Sequence, residues 1–125
     1  MRLSSSAVRV VLLLAALLLA GASAGTAPHA TLMPGAETVR TGTSDGAPDA
    51  VELGPVEVSH GSGCGGFGEA GTYEGAYTLL KNRAVQAGAN YAKITQQVPP
   101  HSENGCFVQA FVIRAILYRE PPPSS

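Results

Sequence analysis

The stretch CFVQAFVIRAILY, Cys106 to Tyr118, decides how this chain folds. It is dense in β-branched and aromatic residues and reads as a strand. Phe107, Phe111, Ile113, Ala115 and Leu117 fall on one side of it, and Val108, Val112, Ile116 and Tyr118 fall on the other together with Arg114. A strand that is apolar on both faces belongs in the middle of a sheet.

The neighbours of that strand follow from the segments before it. NYAKITQQV, Asn90 to Val98, reads as a second strand, with Ala92, Ile94 and Val98 on one side and Tyr91, Lys93, Thr95 and Gln97 on the other. Pro99-Pro100 ends it, and the Val98–Gly105 connection lets the two strands pair antiparallel. Upstream, Tyr73, Tyr77, Leu80, Ala84 and Ala87 recur at helical spacing, predicting a helix over Thr72 to Ala87. Thr72 is placed to cap it and Gly88 to end it in the left-handed conformation. VELGPVEVSH, Val51 to His60, reads as a further strand, interrupted at Gly54-Pro55 by a bulge or an exposed edge. Glu37 to Thr41 can add a short edge strand.

The expected architecture is α/β (α+β): a small mixed sheet of three to four strands in β-α-β-β order, with one helix on one face. A right-handed crossover through the helix sets the first two strands parallel. One helix cannot cover both faces of a sheet. The other face is expected to carry Val56, Val58, Val112 and Ile116, covered either by the N-terminal segment or by a partner.

Met1 to Ala24 has the three parts of a secretion signal: Arg2 and Arg9, the apolar run VVLLLAALLLA, and the small-x-small site Ala22-Ser23-Ala24, with Gly25 as the first mature residue. A spanning helix needs about 20 apolar residues, and this run ends sooner, at Gly21. A lipoprotein signal would carry cysteine where Ala22 stands, so no lipid anchor is expected. Loss of Arg2 and Arg9 takes the 8 basic residues to 6 against 9 acidic ones, a net charge of -3. Without a basic stripe, nucleic-acid binding has no electrostatic footing. The chain then divides into signal 1–24, a flexible segment 25–49 with its possible edge strand, a folded domain 50–119 and a disordered tail 120–125. A periplasmic or secreted location follows.

Cys64 lies just past the end of one strand and Cys106 opens another that runs the opposite way, so both reach the same edge of the sheet. An oxidising compartment permits a disulfide between them. A competing reading groups His60, Cys64, His101 and Cys106 as four ligands of the kinds zinc or copper prefers. Free or redox-active thiols are a third possibility. Gly61-x-Gly63-x-x-Gly66 and Gly63-x-Gly65-x-x-Gly68 match the spacing of a dinucleotide loop. The helix starts too late after them, however, and no second crossover follows. The simpler reading is a loop whose glycines let Cys64 reach its partner. Glu69, Glu103 and the serines near His60 and His101 form no catalytic order. No cofactor and no enzymatic activity are expected; a small redox enzyme or hydrolase is the weaker alternative, which a pocket gathering His60 with His101 and a carboxylate would favour.

Leu53 to Tyr118, with its glycine turn, the helical LKNRAVQAGANY and a Cys-initiated final strand, resembles small bacterial envelope lipoproteins of unknown function. These are similar to RcsF-type stress sensors and to YbjQ-like domains. Ala84 to Ile94, AVQAGANYAKI, carries the resemblance most directly, as a helix that ends at Gly88 and turns straight into a strand. The resemblance implies an α/β sandwich in the cell envelope with a sensing or scaffolding role. It also implies that Cys64 and Cys106 join loop and strand by a disulfide. RcsF carries more than one disulfide and a lipid anchor, whereas this chain has cysteines for one disulfide and has Ala22 at the anchor position.

Overall fold

The computed structural model describes residues 27–65 and 68–122. The segment 1–24, expected to be a signal, lies outside them, as do Gly66, Phe67 and residues 123–125. A 3-10 turn at Ala36–Thr38 leads into β1 (Arg40–Gly42). There follow β2 (Val51–His60), α1 (Tyr73–Gln86), β3 (Tyr91–Val98), β4 (His101–Glu103), β5 (Cys106–Val108) and β6 (Phe111–Arg119). Four strands form one sheet in the order β1-β3-β6-β2, and β4 and β5 form a separate two-stranded ribbon. β6 pairs antiparallel with both β2 and β3, so these two run in the same direction with β6 between them. β1 pairs parallel with β3 at the far edge.

The mixed α+β architecture read from the sequence is therefore present. The apolar segment Cys106–Tyr118 supplies the central strand, although it breaks at Gln109-Ala110, where its first three residues peel away as β5. Asn104 and Gly105 both have positive φ, 50° and 76°, the combination of a two-residue type I′ turn. They join β4 to β5 within what the sequence presented as a plain connection. The edge strand expected over Glu37–Thr41 is shorter and later, because the 3-10 turn takes its first half.

The helix has the ends its sequence asks for. Thr72 is extended, and its Oγ1 accepts a hydrogen bond from the Gly75 amide at 3.0 Å. Glu74 in the first turn and Arg83 in the last complement the helix dipole. Gly88, at φ 76°, turns the chain so that the Ala89 amide bonds back to the Ala84 carbonyl at 2.8 Å. Gly75, Ala76, Leu80 and Ala84 are the buried positions, whereas Tyr73 and Ala87 of the expected face are exposed. Three of those four side chains are small, so the helix lies close on the sheet. Beneath it Leu80, Ile113 and Leu117 are fully buried, each contributing about 1.5–3 kcal/mol by its removal from water.

Two β-bulges reassign side chains between the faces. Glu52 sits opposite Tyr118 and Gly54 opposite Leu117, so Leu53 is the extra residue of β2. That insertion resets the alternation, and Leu53, Val56 and Val58 all turn toward the helix. Val56 lies opposite Ala115 and Val58 opposite Ile113; Val58 is part of the buried core and Val56 packs against it. The expectation that Val56 and Val58 sit on the uncovered face is thus corrected, because the Gly54-Pro55 irregularity shifts their parity. Thr95 is the extra residue of β3, so Val98 lies opposite Val112 on the face away from the helix, rather than beside Ala92 and Ile94.

From Ala36 onward the N-terminal segment is integrated into the domain. Ala36 and Val39 are buried. Residues 43–50 cross the face opposite the helix on their way from β1 to β2. They are held there by the Tyr91 hydroxyl donating to the Ser44 carbonyl at 2.6 Å and by a Lys93–Asp45 ion pair at 2.5 Å. Gly46 packs against the Tyr118 ring. Glu120 closes this end: one carboxylate oxygen accepts from the Ala47 amide at 2.7 Å and the other pairs with Arg40.

Candidate functional site

Two places bear on function: the clasp that joins the glycine loop to the ribbon, and the part of the outer sheet face left open.

Cys64 and Cys106 form a disulfide across 42 residues, with their Cα atoms 5.6 Å apart. The loop that delivers Cys64 depends on close backbone approach. A Cβ at Gly71 would collide with the His60 carbonyl, and one at Gly61 with the Gly71 backbone. Gly61 also has φ 102°, a conformation that glycine adopts without strain. The two strands of the loop are laced together by the Ser62 amide donating to the Glu69 carbonyl and the Glu69 amide donating to Ser62 Oγ, both at 2.8 Å. Cys64 then forms a bridge with Val108 of β5. Gln109 braces the junction, its side-chain amide donating to the Gly65 carbonyl at 3.1 Å. The loop's glycines thus serve chain geometry at the clasp. The helix begins at Tyr73, well past Gly68, the last glycine of either dinucleotide spacing, so the strand-to-helix turn of a dinucleotide site is not formed.

The two histidines of the proposed ligand set do not join the cysteines. His60 is 7% exposed and lies under the start of the helix. Its Nδ1 accepts from the Thr72 amide at 3.0 Å, and its Nε2 faces the Pro28 carbonyl at 2.9 Å. An N–H pointing at Nδ1 fixes the proton on Nε2, which donates to Pro28. Both ring nitrogens are thereby used in joining three segments of chain. His101 sits on β4, with Nδ1 donating to the Pro99 carbonyl at 3.0 Å and Nε2 to Glu103 at 3.2 Å. Two acceptors suit the doubly protonated ring. The Pro99 carbonyl first, and then the Glu103 carboxylate, raise its pKa above the ordinary histidine value. With both sulfurs bonded to each other and both imidazoles committed elsewhere, the arrangement His60, Cys64, His101 and Cys106 is overturned as a metal site. Among the described residues no group of three His, Cys, Asp or Glu side chains is placed to hold a metal ion.

Tyr73 packs edge-on against Phe111 with ring centroids 5.5 Å apart and lies 5.6 Å from Tyr77, whose hydroxyl bonds to Thr41 on β1. Both rings join helix to sheet.

On the outer face the segment 43–50 covers the end of the sheet at Tyr91, Lys93 and Tyr118. The remainder is built from Pro55, Glu57, Val98, Val112, Arg114 and Ile116. Arg114 bridges three strands, donating to Glu57 and to Gln96, each at 2.6 Å. This polar row separates Ile116 and Pro55 from Val112 and Val98, and Pro55, Glu57, Thr95, Arg114 and Ile116 line a shallow depression of about 500 Å³. Val112 and Ile116, two of the four residues expected to form a partner surface, do lie here, both half-buried. The row across them was not legible in the sequence because the Thr95 bulge brings Gln96 into line with Arg114.

Among the described residues no helix is long and apolar enough to cross a membrane. Comparison with protein-family models, with curated proteins and with solved structures finds no match for this chain.

Proposed function

We propose that this chain is an exported, non-catalytic domain of the bacterial cell envelope that binds or scaffolds another envelope protein. This is the role that a resemblance to RcsF-type and YbjQ-like domains implies. The observation that carries the reading is the outer sheet face. Residues 43–50 cover one end of it, and the remainder presents Ile116 and Val112 on either side of a fixed Arg114–Glu57–Gln96 row. A fixed arginine between apolar side chains suits an interface, where arginine is enriched relative to the rest of the surface. The disulfide supports the location, since such bonds persist in oxidising compartments, and the signal-like segment 1–24 agrees with it.

Site-specific crosslinking tests the reading. A photo-reactive residue at position 116, in the expressed full-length chain, is expected to give one discrete adduct in the envelope fraction. The same residue at position 74, exposed in the first turn of the helix, is expected to give none. Absence of an adduct from positions 116 and 112 alike would remove the outer face as a binding surface.

A further inference from the structure

The segment ahead of β1 is bound to the body of the domain as a peptide ligand would be. From Ala27 it runs along the side of α1 nearest β2. The Ala27 amide donates to the Ala70 carbonyl at 3.1 Å, and the Pro28 carbonyl accepts from His60. Further on, one side-chain amide reads the backbone twice. Asn82 Nδ2 donates to the Thr31 carbonyl at 2.8 Å, and Asn82 Oδ1 accepts from the Met33 amide at 2.8 Å. This is a backbone-directed clamp on an extended chain, indifferent to the side chains it holds. The arm buries little: every residue from 27 to 35 is exposed or half-exposed, and Leu32 is 44% exposed. Burial begins only at Ala36.

Beside the arm the groove is not full. An open cleft of about 330 Å³ separates Met33 and Asn82 from Glu57, Val58 and Ser59 of β2. β2 is an outer strand of its sheet, and among the described residues no backbone hydrogen bond joins the arm to it. An unpaired strand edge is a template for another extended chain. Gly54-Pro55 interrupts the first half of that edge and leaves Val56–His60 regular.

We propose that the groove between α1 and the free edge of β2 binds an extended polypeptide segment of a partner protein, and that residues 27–33 occupy it in cis as a displaceable arm. Asn82 and His60 recognise the backbone of either occupant, so arm and partner compete. Cleavage after Ala24 would make the arm a chain end, free to leave. This surface is separate from the outer sheet face and does not depend on the role proposed for that face.

The test uses the whole mature chain and a fluorescent peptide of sequence GTAPHATLMP, residues 25–34. Met33→Pro removes the amide that Asn82 holds in the arm and changes no residue of α1 or β2. The variant is expected to bind the peptide at least tenfold more tightly than the parent chain, because the arm-free fraction sets the apparent affinity. Adding Asn82→Ala to it is expected to abolish binding. Equal or absent binding by parent and Met33→Pro chains overturns the proposal, as does binding that survives Asn82→Ala. A Met33→Pro chain that fails to fold also overturns it, since an arm on which the fold depends cannot be displaceable. Dimers of the parent chain with exchanged arms, detected by light scattering, would replace the partner by a second copy and refute the proposal as stated.

Discussion

Replacing both members of the clasp, Cys64→Ser with Cys106→Ser, isolates what the crosslink contributes. The bond spans 42 residues. In the chain-entropy treatment, closing a loop of that size removes about 13 cal/mol/K from the unfolded ensemble, or about 4 kcal/mol at 25 °C. Domain stabilities run from about 5 to 15 kcal/mol, so this term accounts for between about a quarter and four-fifths of the total. The position of the clasp sharpens the expectation. None of the residues in the buried core cluster comes from the glycine loop or from the β4–β5 ribbon. The serine variant should therefore keep the sheet, the helix and their far-ultraviolet signature while unfolding at much lower urea. Its unfolded state, released from the crosslink, is more open, so the urea dependence should steepen as well. Equilibrium urea unfolding of the oxidised chain beside the double variant measures both quantities. A difference below about 1 kcal/mol, with unchanged steepness, would refute the argument that this bond acts by constraining the unfolded chain.

Two further outcomes follow from side chains at the margins of the core. Gly75→Ala should gain about 1 kcal/mol of helix propensity in isolation, but a Cβ there would land on the imidazole of His60. That ring is buried under the helix and accepts the Thr72 amide at Nδ1, so overpacking should outweigh the gain and leave a net loss of about 1–3 kcal/mol by chemical denaturation; a stabilised variant would contradict this packing. His101 should titrate above the ordinary histidine range by NMR, because the Pro99 carbonyl and then Glu103 favour its charged form. Its contribution to folding is complete below the unfolded-state pKa and disappears as pH rises through the folded one. Glu103→Gln should lower the midpoint only partway, since the larger cause remains; a midpoint already at the ordinary value in the parent chain would remove the prediction.

Much of this fold is written in local patterns. Thr72 and Gly88 bracket the helix as cap and terminator, and β2 runs from Val51 to His60 as its alternation proposes. The side-to-side assignments were less legible, for a physical reason. Strand parity is carried along the chain until something inserts a residue, and both Leu53 and Thr95 do so. Gly54-Pro55 warns of an irregularity in β2 but does not say which way it resets the count. That is why Val56 and Val58 lie in the core and not on the open face. The ribbon of β4 and β5 has its signal in Asn104-Gly105, a pair suited to a type I′ turn, yet the strong apolar run from Cys106 onward masks the break at Gln109-Ala110. At the candidate site, proximity of the cysteines follows from strand direction. The commitment of His60 to Pro28 and Thr72 joins residues distant in sequence and has no local signature.

The sheet order also governs the sequence of events as the chain is made. β1 is the first strand to appear, but its neighbour is β3, with Arg40 opposite Tyr91. Cys64 likewise waits for Cys106. Neither half can reach its native arrangement until most of the polypeptide is available, and closure of such distant contacts is slow. During that interval Cys64 stands as a lone thiol beside unpaired strands. A holdase or an oxidase would have its main opportunity there, before the second half arrives.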